Sequence, residues 1–348
     1  MNLFELTRNL IDIPSVTGNE KAIGEFLAAH LGSLGYTVQM QEVERDRFNV
    51  IAVTEERPRV VFSTHMDTVP PEIFSSEDEA RIYGRGSCDA KGIIAAQIMA
   101  AEELRAGGAK EIGLLFTVDE EMGSRGAQFA NLNKPEHPSQ FLINGEPTDN
   151  NLATATKGSL RLTIKTFGRS SHSAYPEYGE SAIEKLLDVL ADIRKCAWPT
   201  HSSLGQTTCN IGVVHGGTRP NVIPSEASAE LQLRLVGKAR PVKLILEAAV
   251  NGRAEIQYSS EHEPIHLMPV AGFARSVVRF TTDIPYLTNW GTPLLLGPGS
   301  ILNAHTEHEF IEKRELSEAV DLYVRLARTL FAREDKHRLS ETAEGAVQ

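Results

Sequence analysis

The chain has 348 residues, is 41% hydrophobic and 23% charged, and carries 46 acidic against 35 basic side chains for a formal net charge of −11. That length is enough to bury one large core or two unequal ones. The acid excess, with no basic patch, argues against nucleic-acid binding, and no apolar run approaches the roughly 20 residues needed to span a bilayer. The N-terminal MNLFELTRNLIDIP lacks the basic start and continuous apolar core of a secretory leader. The cysteines, Cys88, Cys196 and Cys209, are odd in number and lack CxxC spacing. They read as reduced thiols of a cytoplasmic protein, with Cys88 a packing residue.

In chain order, residues 2–12 carry helical periodicity that stops before Pro14. Ser15-Val16-Thr17-Gly18-Asn19-Glu20 supplies start signals for a second helix, which glycine ends at Leu34-Gly35. Residues 36–43 and 48–53 alternate as a strand pair, and 59–64 is apolar enough to be a central strand. Residues 91–106, rich in Ala, Ile and Met, predict a buried helix closed by Gly107-Gly108. A strand at 114–118, a helix near 124–131 and a strand at 140–144 follow. Such alternation with apolar strands predicts an α/β sheet covered on both faces.

Around residues 155–158 the texture changes. Residues 160–167 alternate as a half-exposed strand leading to Gly168-Arg169-Ser170-Ser171-His172-Ser173. An amphipathic helix at 181–197, alternating strands at 207–214 and 225–236, a helix near 241–250 and a strand near 255–259 follow. Two helices with four alternating strands suit a small antiparallel α+β module, ferredoxin-like, with one exposed sheet face. The α/β character then returns with a helix near 270–280, an apolar strand at 293–296, a glycine turn and a closing helix at 313–331. The polar tail 333–348 reads as frayed or disordered. The predicted fold is therefore a doubly wound mixed α/β sheet domain of residues 1–157 and 268–348, interrupted by an inserted α+β domain of residues 158–267.

The chemistry concentrates at strand ends. Leu114–Gly126, LLFTVDEEMGSRG, runs an apolar strand into three consecutive carboxylates, Asp119, Glu120 and Glu121. Desolvating adjacent acids costs several kcal/mol per ion unless positive charge compensates. Only Arg125 is near in sequence, so a bound metal is the expected counter-charge. Other strand ends lead into His65-Met66-Asp67, into Asp89-Ala90-Lys91-Gly92, into Gly145-Glu146 and, after Gly297-Pro298-Gly299-Ser300, into Ala304-His305-Thr306. Open α/β sheets place ligands beyond the carboxyl ends of their strands. One crevice can thus collect His65, Asp89, Glu120, Glu121, Glu146 and His305. Imidazole and carboxylate without thiolate suit zinc or a similar divalent ion in a catalytic role. Successive side chains at a strand end diverge, so only one of Glu120 and Glu121 faces a given metal, and Asp119 reads as a structural acid of the turn.

Seven motifs in order, STHMDTVP, GRGSCDAKG, TVDEEMGSRG, NGEPT, GRSSHSAYP, GGTRPNVIP and GPGSILNAHTEHEF, span nearly the whole chain. Together they resemble the co-catalytic zinc amidohydrolases typified by acetylornithine deacetylase, succinyl-diaminopimelate desuccinylase, aminoacylase-1 and carboxypeptidase G. The GPG turn before AHT is most similar to the acetylornithine and acetyl-lysine deacetylase branch. The resemblance implies two divalent ions, zinc first, with cobalt or manganese as alternatives. By it His65 and Glu146 ligate one ion, Glu121 and His305 the other, and Asp89 bridges them, with a cis peptide after the bridging aspartate. Asp67 orients His65 from behind, and Glu120 is the general base.

The same resemblance makes the inserted domain a lid and homodimerisation module. His172 then reaches across the dimer to the oxyanion, and Asn221 and Arg234 hold the substrate's carbonyl and α-carboxylate, with Arg219 a further carboxylate candidate. The remaining histidines (His30, His137, His201, His215, His262, His266 and His308) read as surface or packing residues. The implied substrate is an N-acyl amino acid of the N-acetyl-ornithine or N-acetyl-lysine type. Succinylated diamino acids and di- or tripeptides are alternatives, as is, from another class, a non-catalytic metal-binding homologue. Relatives often carry an acidic or Ser/Thr-Asp loop before the final strand, where this chain reads Tyr286-Leu287-Thr288-Asn289-Trp290-Gly291.

Overall fold

A computed structural model describes residues 1–55, 57–134 and 138–345, with side chains as far as Arg333. The chain divides into two compact units, one of residues 1–154, 267–276 and 282–348, the other of residues 155–266 and 277–281.

The first unit is built on a six-stranded sheet in the order Thr37–Glu44, Arg47–Val53, Ile112–Thr117, Val60–His65, Phe141–Asn144, Thr292–Leu295. The last four run parallel and the first two are antiparallel additions, so the sheet is mixed. Strand period decides the layering. Val60, Phe62, Leu114, Phe116 and Ile143 join one apolar cluster, while the alternate residues Val61, Leu115 and Leu142 join another with Ala127, Ala130 and Trp290. Both faces are therefore covered, and the central strands are buried at every position. Leu3–Ile11, Lys21–Ser33, Lys91–Ala106 and the closing helix pack over the first face, and Arg125–Leu132 over the second. Asn2 and Glu5 form a reciprocal capping box at the start of the first helix.

The second unit has a four-stranded antiparallel sheet, in the order Thr208–Gly216, Glu226–Leu235, Gly158–Phe167, Glu255–His262. Helices Ala182–Arg194 and Ala239–Val250 close its apolar face with Leu160, Leu162, Ile164, Leu231 and Leu233. Glu226–Leu235 alternates buried with exposed or half-buried residues, as a sheet covered on one side must.

Three expectations change. Residues 270–280 hold no helix: Gly272 turns the chain at φ 85°, and Arg275–Val278 is a strand, its β-branched Val277-Val278 suiting it to a ladder. Its partner is the strand Leu152–Thr156, unread from the sequence. The closing helix runs Lys313–Gly345, well past the expected stop at 331; residues 346–348 and the tail's side chains lie outside the described residues. Among the described residues, no helix is long and apolar enough to cross a membrane.

Candidate active site

The parallel strands Val60–His65, Ile112–Thr117, Phe141–Asn144 and Thr292–Leu295 present their carboxyl ends along one edge of the sheet. Each is followed by predicted site residues: His65 and Asp67, Glu120 and Glu121, Glu146, and the loop to His305. Asp89 arrives from the loop before Lys91–Ala106, with a cis bond to Ala90. Gly92 permits that approach, since a Cβ there would lie 2.2 Å from the Ser87 carbonyl oxygen.

The side chains converge. His65 Nε2 is 3.0 Å from Asp89 Oδ1, and His305 Nε2 lies 3.4 Å from Asp89 Oδ2 and 2.9 Å from Glu121 Oε1. His65, Asp89 and Glu121 each offer a ligand atom within 4.8 Å of the others. His65 Nδ1 lies 3.0 Å from the Asp67 carbonyl oxygen, which fixes the tautomer and turns Nε2 towards Asp89. The Asp67 carboxylate accepts the N–H groups of Glu120 and Glu121 at 3.1 and 3.2 Å. Of the three adjacent acids only Asp119 turns away. It has φ 69° and pairs with Arg47 at 2.8 Å, which itself is held by Glu20. Asp119 is thus a structural acid of the turn, but its counter-charge is Arg47, distant in sequence, and neither Arg125 alone nor a metal.

Charge explains what the cluster lacks. Burial pushes the carboxyls of Glu120 and Glu146 well above the usual carboxylate range, and Glu121 above it too. Burial works the same way on Asp89, but hydrogen bonds from His305 and His65 outweigh it and hold that group low. Hydrogen bonds to Asp89 and Glu121 push the His305 imidazole up to about 10. Glu146 Oε1 is buried without a hydrogen-bond partner. A nitrogen and oxygen donor set, rich in desolvated acid and holding an orphaned carboxylate oxygen, fits a divalent cation.

Two acids escaped the sequence reading. Asp283 is buried, accepts from Thr117 Oγ1 at 2.7 Å and leaves Oδ1 unpartnered; burial pushes it up to about 6. Thr282-Asp283 supplies the Thr-Asp pair that the stretch 286–291 lacks, three residues earlier than sought. Glu309, beside exposed His308, is buried. It accepts from the backbone N–H groups of Gly86, Cys88 and Asp89 at 2.9, 3.1 and 3.1 Å and pairs with Arg85. Arg85 also donates to the Thr306 carbonyl at 3.1 Å, tying the Asp89 loop to the His305 loop. Cys88 is fully buried there, as a packing residue. His30 stacks on Phe26, His201 and His266 approach each other, and His137 lies outside the described residues.

In the second unit, His172 and Asn221 are neighbours: Ser173 N donates to the Asn221 carbonyl at 3.1 Å, and His172 bridges Val222. Ala174 N donates to His172 Nδ1 at 3.1 Å, so Nε2 carries the proton and is a donor. Arg219 is exposed in the same loop. Arg234 is not with them. It stands opposite Ser159 while Glu226 stands opposite Phe167, which places it about 25 Å along the strand, where its guanidinium reaches Thr281.

Comparison with known proteins agrees with this geometry. The model of Peptidase family M20/M25/M40 matches residues 61–329. A probable carboxypeptidase of Emericella nidulans is 37% identical over 371 residues, covering 92% of this chain and 88% of that protein. The fold is shared with a tripeptidase from Staphylococcus aureus (TM-score 0.76, 20% identity, 94% of this chain and 96% of that one). It is shared too with an M20 family metallo-carboxypeptidase from Sulfolobus solfataricus (TM-score 0.76, 16% identity, 95% and 99%). The chain belongs to peptidase family M20/M25/M40 and is a hydrolase of that family.

Proposed function

We propose that this hydrolase cleaves the amide bond joining an amino acid with a free α-carboxylate to an acyl or peptidyl group, with Glu120 as general base. The observation that carries the reading is the convergence of His65, Asp89, Glu121 and His305 with Glu120 beside them on a half-buried turn. Two divalent ions, zinc for preference, would be held by His65, Glu146, Glu121 and His305 with Asp89 shared, supplying the positive charge that polarises a carbonyl and acidifies water near neutral pH.

The chain's own residues do the rest. Glu120, raised by burial and free of the pairing that ties up Asp119, takes a proton from the attacking water and returns it to the departing amine. Asp67 holds both the His65 ring and the backbone of the acid turn, so base and ligands keep one frame. His172, with Nε2–H free to donate, serves the oxyanion, Asn221 the carbonyl, and Arg234 or Arg219 forks onto the α-carboxylate. His172 and Arg234 stand at opposite ends of one sheet, which supports a homodimer in which each subunit lends its His172 to its partner and the second unit acts as lid and dimerisation domain.

The GPG turn favours N-acetyl-ornithine or N-acetyl-lysine as substrate, whereas the probable carboxypeptidase of E. nidulans favours short peptides. Three free cysteines fit a cytoplasmic setting. A panel of N-acyl amino acids and blocked dipeptides, run with Glu120→Gln, tests the proposal. Turnover is expected on substrates with a free carboxylate and is lost in Glu120→Gln with metal content kept; an active Glu120→Gln enzyme would remove Glu120 from its role.

A further inference from the structure

The segment Ser15-Val16-Thr17-Gly18-Asn19-Glu20 reads as a helix start, yet none of its side chains caps the helix Lys21–Ser33. Ser15 Oγ donates to the Met66 carbonyl at 2.8 Å. Thr17 N donates to the Thr68 carbonyl at 3.1 Å, and Thr68 N to the Ser15 carbonyl at 3.0 Å. A single parallel bridge between Val16 and Thr68 thus sets the segment beside the chain that carries Asp67. From there Thr17 Oγ1 donates to Asp67 Oδ2 at 2.8 Å.

Asp67 is fully buried, and both oxygens of its carboxylate accept hydrogen bonds. Oδ1 takes the Glu120 N–H and faces His65 Nδ1 at 3.5 Å; Oδ2 takes the Glu121 N–H and the Thr17 hydroxyl. Rotation of this carboxylate would move both acceptors of the acid turn together, and the Thr17 hydroxyl is the donor that opposes it from outside the site. The segment's far end reaches the same turn from the other side, because Glu20 holds Arg47 and Arg47 holds Asp119.

We propose that Thr17 is a positioning residue for Glu120: by fixing the plane of the Asp67 carboxylate, it fixes the backbone from which Glu120 acts. This rests on Glu120 being the base. Its test compares Thr17→Val, which keeps shape and removes the donor, with Thr17→Ser, which restores it. Removing such an outer partner lowers activity by about tenfold to a hundredfold. In Thr17→Val that loss is expected in kcat, with KM, bound metal and melting temperature held, and Thr17→Ser recovers most of it. Hydrogen exchange supplies a readout independent of turnover: the amides of residues 118–122 exchange faster in Thr17→Val and as in the parent in Thr17→Ser. Undiminished kcat, a loss shared equally by the serine variant, a loss that follows departure of metal, or unchanged exchange at 118–122 would each overturn the proposal. Failure of the Glu120 reading shows separately, as an active Glu120→Gln enzyme, and leaves the exchange result standing.

Discussion

Single residues divide into those whose chemistry the sequence displays and those whose partners it hides. His65, Asp89, Glu121 and His305 were legible because each follows an apolar strand or a glycine turn, and the fold brings them within hydrogen-bond distance. Glu309, Arg47 and Asp283 were not, because nothing local distinguishes a solvated acid or arginine from one whose partner lies far along the chain. Glu309 pairs with Arg85, 224 residues away. That pair makes its own prediction. Removing one partner of a buried ion pair costs about 3–5 kcal/mol, because the other charge is left desolvated and alone. Glu309→Ala should therefore lower the unfolding free energy measured in urea by an amount of that order and free the Asp89 loop. A loss of unfolding free energy below about 1 kcal/mol, the scale of a surface pair, would show that solvent already screens the pair.

At the scale of elements, period and breakers located most strands and helices, and the failures have physical causes. Residues 270–280 contain Ala, Phe and Arg that a helix tolerates, but the Gly272 turn and the ladder with Leu152–Thr156 decide for a strand, and only tertiary pairing shows that ladder. The helix Lys91–Ala106 starts under the Asp89 loop because Gly92 admits the Ser87 carbonyl. A Cβ there forces backbone apart, so Gly92→Ala is expected to destabilise by about 1–3 kcal/mol, as overpacking does; thermal unfolding at parent temperature would contradict the close approach. In the strand Thr208–Gly216, burial pushes the Cys209 thiol up to about 11, above the roughly 8.5 of an unfolded chain. Between those values the unfolded chain gives up its proton first, so the stability this thiol contributes is full below about pH 8.5 and is lost as pH rises through 11. Cys209→Ala should flatten that part of the alkaline stability curve measured by urea unfolding. Parallel curves for parent and variant would assign the decline to other groups.

For the whole molecule, the broad plan was readable: a mixed sheet covered on both faces, a second sheet with one covered face, and a crevice of acids and imidazoles at the strand ends. What the sequence did not display was the rest of the frame around that crevice, namely Thr17 behind Asp67, Arg85 and Glu309 behind the Asp89 loop, and Asp283 beside Thr117. These groups hold several desolvated carboxyls in one place, an arrangement that is stable only with compensating positive charge. Under the proposed function this charge is a pair of cations. Diffraction from crystals of zinc-loaded protein, recorded on either side of the zinc absorption edge, locates them directly. Two peaks are expected, enclosed by His65, Asp89, Glu121, Glu146 and His305 with Asp89 between them and Glu120 close but not coordinating. Peaks elsewhere on the chain, or none at all in fully loaded protein, would contradict it.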